Sequence, residues 1–361
     1  MTFADILEQR RLALLGKMAS KVPSWAGFDL EYPSSLSTEQ CSSEETAAYK
    51  AAVVLALGSR VADLTGGLGV DSWAFSRGAE AVWYNEMNVE LRAAVERNFE
   101  RLGACNVSFN SYEIGRPEWA PALRAFRPDV IYLDPARRDA QGRKVFRIED
   151  CSPDVLALLP ELLDIAAHVV VKLSPMADIS VLQRAFEGHL SRIYVVQSGA
   201  EVKELLCVLA RRSDGVSVQT GDFVFTPGQE SGAVADFASE FGEYLYEPSA
   251  ALMKTGAFKL ICERFGLRKL APSTHLYTGP ALKSPLLKRF RILEVSPLGS
   301  FKDVGSRYPH ADVSARNVPI RSEELRKRLG ITPGPSEGVH IFGCSSLCSG
   351  RVLLVCRADF E

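Results

Sequence analysis

One acidic residue and three glycines lie close together at Asp63–Gly69, where the sequence reads DLTGGLG. The apolar residues before Asp63 predict a buried strand, and the pattern after Gly69 predicts an amphipathic helix. Gly67 and Gly69 can adopt positive φ and carry no Cβ, so a ligand can lie directly against the backbone of this turn. The first N–H groups of the following helix face the same ligand. The segment therefore predicts a site for a nucleotide-like molecule, held by Asp63, Thr65, Gly67 and Gly69.

The spacing of these glycines does not match two other kinds of glycine-rich binding loop. A phosphate-binding loop ends in Gly-Lys-Ser or Gly-Lys-Thr, and the dinucleotide loop reads Gly-x-Gly-x-x-Gly; neither pattern is present. A second acid, Glu86, follows the predicted strand Ala81–Asn85 and lies 19 positions after Gly67. A carboxylate about 20 residues after a glycine loop commonly binds ribose hydroxyls. We therefore expect Glu86 to bind the cofactor; the alternative is a chance glycine-rich turn between a strand and a helix.

A third acid, Asp134, ends another predicted strand, Val130–Leu133, and Pro135 follows it at once. Ligands bind outside the carboxyl ends of the strands in open α/β sheets, so Asp134 is expected to lie beside the glycine turn. A carboxylate there can accept a hydrogen bond from a ligand, and the proline makes the bend rigid. Asp134 and Pro135 are therefore candidate site residues at this edge.

Cationic side chains follow the same strand and its neighbour. Arg137 and Arg138 come shortly after Pro135, and Lys172 lies near the end of the predicted strand His168–Leu173. They are candidates for substrate binding, since guanidinium groups stack on bases and bind phosphate. A solvated loop is the alternative for the arginines, and a surface position for the lysine. No cysteine stands beside the glycine turn, so covalent thiolate chemistry lacks a candidate.

The chain resembles the class I S-adenosylmethionine-dependent methyltransferases over roughly Ala47 to Arg212. Their first motif, an acid followed by Gly-x-Gly, matches Asp63–Gly69, and their acid after the second strand matches Glu86. The wording DLTGGLGVDS is also similar to the first motif of a group of ribosomal-RNA guanine methyltransferases. The motif Asp/Asn-Pro-Pro-aromatic of amino-methylating members is matched in part by Asp134-Pro135-Ala136-Arg137. The resemblance therefore implies that Asp134 and Pro135 are the candidate catalytic residues, with Asp134 accepting an N–H of a substrate amino group.

The resemblance implies S-adenosylmethionine as cofactor. It puts Ser111, or Asn110 beside it, where this family contacts the adenine ring. Many members also close a segment over the cofactor before the first strand. Gln40, Ser42 and Lys50 are candidates for that contact here, and a simple helix cap is the alternative.

Strands and helices alternate through this region, which predicts an α/β fold with a mostly parallel, doubly wound, Rossmann-like methyltransferase sheet. The strands Arg192–Gln197 and Glu204–Ala210 resemble the terminal antiparallel hairpin of the family. After Tyr244 the pattern becomes mixed α+β, beginning with a predicted helix over Pro248–Phe265. We predict an N-terminal helical segment over 1–50, a methyltransferase domain over 51–243 and a smaller α+β domain over 244–361. This last domain resembles the ferredoxin-like and THUMP-like modules of some RNA methyltransferases.

The charge is unevenly distributed along the chain. Residues 251–361 contain 18 Lys and Arg against 9 Asp and Glu, a net charge of +9, whereas residues 1–250 carry −11. A basic module joined to an acidic one is what a nucleic-acid partner favours, although such asymmetry also occurs merely as an aid to solubility. We therefore expect RNA as partner of the C-terminal domain.

The sequence argues against a membrane protein, a secreted protein and a metal-binding protein. It has no run of about 18 apolar residues, so no membrane span is expected, and no secretory signal begins it. The eight cysteines are scattered, and Cys344 and Cys348 form the one close pair. Buried free thiols in a reducing cytosol are favoured over a metal site there, so we expect a cytoplasmic protein without metal.

The sequence thus predicts a methyltransferase acting on a base nitrogen in RNA. Two alternatives stay open: a methyltransferase for small molecules or proteins, and an RNA-binding adaptor that keeps the fold without catalysis. The intact glycine loop disfavours the adaptor, and the missing aromatic residue after Asp134-Pro135 favours the small-molecule or protein enzyme.

Overall fold

The structure, a computed structural model, describes residues 3–136, 148, 151–332 and 338–359. The chain folds into two compact units, Met1–Gln219 and Thr220–Glu361. The strands that begin in the first unit are β1 (Arg60–Asp63), β2 (Ala81–Asn85), β3 (Val107–Asn110), β4 (Val130–Leu133), β5 (His168–Leu173), β6 (Leu190–Ser198), β7 (Glu201–Ala210) and β8 (Ser217–Thr220). Its helices are α1 (Phe3–Lys21), a 3-10 turn (Pro23–Trp25), α2 (Ser35–Gln40), α3 (Glu44–Leu55), α4 (Val70–Ser76), α5 (Val89–Arg101), α6 (Trp119–Phe126), α7 (Val155–Ile165) and α8 (Ile179–Ala185).

The sheet of the first unit has the strand order β3-β2-β1-β4-β5-β7-β6-β8. Strands β1 to β5 run parallel to one another, and β7 runs antiparallel to both β5 and β6. The α/β fold class is therefore confirmed, and so is the antiparallel hairpin at the end of the sheet. Strand β4 is buried along its whole length, as expected where both faces of a parallel sheet are covered.

Helix α3 covers one face of this sheet. It packs Ala51 and Val54 in the same core cluster as Val61 of β1 and Tyr132 of β4. Because β1, β2, β4 and β5 are parallel, their carboxyl ends lie along one edge of the sheet. The glycine turn, Glu86, Asp134 and Lys172 all occupy that edge. This arrangement brings together residues that are far apart in the sequence.

Helices on this edge begin at defined caps. Helix α4 starts directly after Gly69, whose φ of +83° only glycine adopts without strain. Helix α5 starts after Asn88, whose side chain accepts a hydrogen bond from the Leu91 N–H at 3.0 Å. Both helices therefore point their N-termini toward the edge of the sheet that carries the acidic residues.

The second unit contains a second sheet. Strands β10 to β16 form this second sheet, and the strands of the unit are β9 (Phe223–Phe225), β10 (Tyr244–Pro248), β11 (Arg268–Ala271), β12 (Thr274–Gly279), β13 (Leu287–Pro297), β14 (Asp312–Arg316), β15 (Val339–Ser346) and β16 (Gly350–Ala358). Its helices are α9 (Pro227–Gly232), α10 (Ala250–Thr255), α11 (Leu260–Phe265), α12 (Phe301–Arg307) and α13 (Ser322–Leu329). The order is β11-β12-β10-β13-β16-β15-β14, antiparallel apart from the pair β14 and β15. The predicted α+β character of this region is confirmed.

The single helix predicted over Pro248–Phe265 is wrong. The structure has two short helices there, because Gly256 adopts a φ of +76° and ends α10 in the left-handed conformation. Glycine after the last helical residue is the usual stop signal for a helix. The apolar residues of both short helices had suggested one continuous pattern.

Candidate active site

The Asp63 carboxylate organises the glycine turn from inside. It is buried, and it accepts hydrogen bonds from the Thr65 N–H at 3.1 Å and from the Ser72 hydroxyl at 2.5 Å. The pKa of Asp63 is raised to about 7, mainly because the carboxyl is buried and to a smaller extent because the Asp71 carboxylate is near, and the two hydrogen bonds oppose this rise. The sequence placed Asp63 in the cofactor site, and the structure shows it joining the turn to the start of α4.

The turn requires glycine at its different positions for different structural reasons. A Cβ on Gly66 would lie 2.1 Å from the ring of Tyr84, and one on Gly69 would lie 2.8 Å from side chains of α5. Gly67 has a φ of +53°, and a Cβ built on it meets nothing closer than 4.0 Å. Gly66 and Gly69 are therefore required by packing, whereas Gly67 leaves its outer side open for a ligand.

Glu86 holds the turn from the neighbouring strand end. Its carboxylate accepts hydrogen bonds from the Gly67 N–H at 3.1 Å and from the Asn88 N–H at 2.8 Å. Each carboxylate oxygen has two lone pairs, so Glu86 keeps acceptor capacity for a ligand beside the turn. The sequence predicted a cofactor contact for Glu86, and the structure adds a role in fixing the turn.

Two residues of β2 that the sequence reasoning missed complete the turn. The Tyr84 hydroxyl donates to the Gly67 carbonyl oxygen at 2.6 Å. The buried Asn85 amide donates to the Leu64 carbonyl at 3.1 Å, and its side-chain oxygen accepts from the Tyr112 N–H at 2.7 Å. A buried asparagine at the end of an apolar strand was the available signal, because buried polar groups are nearly always hydrogen-bonded.

Asp134 is attached directly to the glycine turn. Its backbone N–H donates to the Thr65 hydroxyl at 2.6 Å, and the Leu64 N–H donates to the Tyr132 carbonyl at 3.0 Å. The Asp134 carboxylate is partly exposed, and the following Pro135 is buried. The structure thus brings together Thr65, from the cofactor candidates, and Asp134, from the catalytic candidates.

Lys172 contacts the Asp134 carboxylate. Its Nζ lies 2.5 Å from Asp134 Oδ2 and 3.8 Å from Glu204 Oε2. Burial alone would lower the pKa of Lys172, but the carboxylates of Asp134, Glu204 and Asp71 raise it above its ordinary value. Lys172 is therefore an ammonium ion within the site and not the surface lysine that was its alternative.

The remaining predicted residues lie in other parts of the first unit or outside the described residues. Ser111 is exposed at the end of β3. Gln40 is the last residue of α2, whereas Ser42 and Lys50 meet in a buried ion-pair network, with Lys50 Nζ 2.5 Å from Ser42 Oγ. Arg137 and Arg138 lie outside the described residues.

The close cysteine pair lies on and just after strand β15. Burial raises the pKa of the Cys344 thiol to about 12, and the Cys348 sulfur contacts the Ser346 hydroxyl. Across the described ranges, no cluster of three or more His, Cys, Asp or Glu residues suits a metal ion. Among the described helices, none is both long enough and apolar enough to cross a membrane.

The chain is similar to several known proteins. A proposed methyltransferase from Porphyromonas gingivalis W83, known from a crystal structure, is 33% identical and superimposes with a TM-score of 0.86 over 97% of this chain and 89% of that one. This chain belongs to the S-adenosylmethionine-dependent methyltransferases. Two uncharacterized members of this family from Mycobacterium tuberculosis strains, CDC 1551 / Oshkosh and ATCC 25618 / H37Rv, are each 27% identical. The matched region covers 64% of this methyltransferase and 65% of the length of those curated relatives.

Two further domains of this methyltransferase match known families. Residues 244–285 match a ferredoxin-like domain, and residues 287–358 match a THUMP domain-like family. The resemblance of the C-terminal region to ferredoxin-like and THUMP-like modules is thereby confirmed.

The cofactor of this methyltransferase family is S-adenosylmethionine, and the residues of the glycine turn fit it. The open side of Gly67 gives a nucleoside access to the backbone, and Glu86 keeps acceptor capacity for ribose hydroxyls beside it. The backbone N–H of Asp134 donates to the Thr65 hydroxyl of the same turn, and the Asp134 carboxylate is partly exposed.

Proposed function

We propose that this chain methylates a base nitrogen in RNA. The observation that carries this proposal is the 2.6 Å hydrogen bond from the Asp134 N–H to the Thr65 hydroxyl. It fixes a carboxylate that can accept a substrate N–H beside the turn that fits the cofactor. Cofactor and nucleophile are then held by one rigid connection, and such orientation accounts for a large part of the rate of an in-line displacement.

The residues of the site have separate tasks in this reaction. When bound, S-adenosylmethionine supplies an electrophilic methyl group on its sulfonium. Asp134 accepts one N–H of the substrate nitrogen and so orients the nitrogen lone pair for attack. As the nitrogen–carbon bond forms and the carbon–sulfur bond breaks, the nitrogen becomes positively charged, and its proton leaves to Asp134 and then to solvent. Gly67 and Glu86 bind and orient the nucleoside part of the cofactor.

The choice of RNA is supported by the second unit. Residues 287–358 match the THUMP domain-like family, and residues 251–361 carry a net charge of +9. Positive charge on one module supplies the sequence-independent part of nucleic-acid binding. The proposal includes a cytoplasmic location, because S-adenosylmethionine and RNA both occur there. Arg137 and Arg138 are proposed to bind phosphates of the same RNA.

The test uses RNA from cells that lack this protein. The purified enzyme is incubated with that RNA and methyl-labelled S-adenosylmethionine, and the RNA is digested to nucleosides for mass spectrometry. The proposal expects one base-methylated nucleoside with wild-type protein and none with Asp134→Ala. Label found only in protein or in small molecules of a cell extract would refute it and support the alternative methyltransferase.

A further inference from the structure

A chain of five charged side chains leads from the N-terminal helices to the candidate catalytic carboxylate. We call it the buried charge chain; it comprises Lys50, Asp71, Glu204, Lys172 and Asp134. Lys50 Nζ lies 2.9 Å from Asp71 Oδ1 and 3.3 Å from Glu204 Oε1. Lys172 Nζ lies 3.8 Å from Glu204 Oε2 and 2.5 Å from Asp134 Oδ2. Glu204 is thus the one member that lies next to both ammonium groups.

Side-chain exposure is lowest at Lys50 and highest at Asp134, at the two ends of the buried charge chain. The side chain of Lys50 is 0% exposed, those of its two partners Glu204 and Asp71 are 5% and 10% exposed, that of Lys172 is 17% exposed and that of Asp134 is 36% exposed. The buried charge chain therefore reaches solvent at Asp134, the same residue that carries the proposed chemistry.

Stability alone does not explain why charged residues occupy the buried positions of Lys50 and Glu204. An ammonium ion without solvent exposure is unfavourable unless it is paired, and a well-packed apolar pair is often at least as stable as a buried ion pair. Lys50 lies on α3, Asp71 on α4, and Glu204 on β7, so three separate elements contribute charges to one point. Burial raises the pKa of Glu204 even though two lysines contact it.

Further polar contacts fix the same cluster. The Ser42 hydroxyl accepts from Lys50 Nζ at 2.5 Å and donates to Asp71 Oδ2 at 3.1 Å. The Tyr132 hydroxyl donates to the same Asp71 oxygen at 3.0 Å. These contacts tie Lys50 to one position, and through Glu204 they limit where Lys172 can lie.

We propose that Lys50 and Glu204 are positioning residues that hold the Lys172 ammonium against Asp134, and that the resulting neutral pair selects an uncharged N–H nucleophile. This inference rests on the proposed function, because it assigns the nucleophile that the same site accepts. The Asp134 charge is compensated by Lys172 before any substrate arrives. A cationic side chain such as that of lysine or arginine would meet the Lys172 ammonium, and like charges at such distances repel strongly in a partly buried site. A base amino or ring nitrogen with an N–H carries no charge and can still donate to Asp134.

The first experiment observes the buried charge chain without any substrate. Ammonium groups of buried lysines exchange slowly with water, so Lys172 gives a ¹⁵N resonance that is assigned by its loss in Lys172→Met. We expect Glu204→Gln to shift or remove this resonance. The matched control is Glu201→Gln, which breaks an exposed pair with Lys203 at 2.8 Å on the same strand and should leave the resonance unchanged. An unchanged Lys172 resonance in Glu204→Gln would overturn the inference. If Glu204→Gln does not fold, Glu204→Asp shortens the same carboxylate by one methylene and is judged by the same criterion.

The second experiment measures transfer. Glu204→Gln should lower kcat by at least tenfold while KM for RNA and Kd for the cofactor stay within twofold, and Glu201→Gln should behave as wild type. Equal loss in KM and cofactor affinity would indicate a merely structural role and contradict the inference. Methylation of lysine- or arginine-rich peptides as fast as RNA would also contradict it. If no RNA is methylated by wild-type protein, the proposed function fails, while the ¹⁵N result still decides whether the buried charge chain holds Lys172.

Discussion

Replacing Glu86 by alanine tests how the glycine turn binds its cofactor. The substitution removes the acceptor of two backbone hydrogen bonds, from the Gly67 N–H at 3.1 Å and the Asn88 N–H at 2.8 Å. It also removes the carboxylate that is expected to accept ribose hydroxyls. A hydrogen bond to a charged group contributes on the order of 1–3 kcal/mol, so the free energy of cofactor binding should fall by about that amount. This corresponds to a rise in Kd of about 5- to 150-fold.

Calorimetric titration with S-adenosylmethionine measures this change directly. Glu90→Ala is the matched control, since Glu90 is exposed in the first turn of α5 and makes no part of the turn. Glu86→Gln should show a smaller loss, because its amide retains one oxygen that can accept. A Kd for Glu86→Ala within twofold of wild type would refute both the ribose contact and the role of Glu86 in holding the turn.

Three further predictions concern other parts of the chain. Asp134→Ala should leave cofactor affinity within about threefold of wild type and abolish methyl transfer, because the side chain lies outside the glycine turn; unchanged turnover would remove Asp134 from the mechanism. The raised pKa of Asp63, about 7 against 3.8, means that the folded state binds this proton more tightly, so the stabilisation is full below about pH 3.8 and is lost as pH rises to about 7. Relative to Asp63→Asn, wild type should therefore lose about 1.4 kcal/mol of unfolding free energy per pH unit between pH 5 and 7, measured by urea unfolding, and parallel profiles would contradict this. Gly305→Ala should destabilise the second unit by about 1–3 kcal/mol in the same unfolding assay, because the new Cβ would lie 1.7 Å from the Leu329 carbonyl oxygen. The control Gly299→Ala should change the free energy of unfolding by no more than about 0.5 kcal/mol, because a Cβ there meets open space.

The sheet of the first unit was predictable because its strands are short apolar runs that end in acids or glycines. Asp63, Glu86 and Asp134 each follow or end such a run, and the carboxyl ends of parallel strands meet at one edge. The positions of these residues could therefore be predicted from the local pattern alone. Their exact partners could not, since the sequence does not show that Asp63 turns inward to Ser72.

The buried charge chain lay beyond the sequence for a different reason. Lys50 and Glu204 are 154 positions apart, and their pairing depends on how α3 packs beside β7. The local signal was weak: one lysine in the apolar stretch of a helix and one glutamate at the start of an apolar run. In the second unit, strands β11, β12 and β14 were not predicted, because polar residues interrupt their short apolar patterns.

The hydrogen bonds that hold the glycine turn have a consequence for the entropy of cofactor binding. Hydrogen bonds within the protein fix the turn at Gly67 by Tyr84 and Glu86, at Leu64 by Asn85, and at Thr65 by Asp134. Ordering one backbone residue costs about 1–2 kcal/mol, so a loop that became ordered only on binding would lose several kcal/mol of affinity. None of these hydrogen bonds needs a ligand, so we expect the free turn and the ligand-bound turn to have nearly the same shape. Variants that loosen these ties, such as Tyr84→Phe, will then weaken cofactor binding through disorder of the empty site, without removing any contact to the cofactor itself.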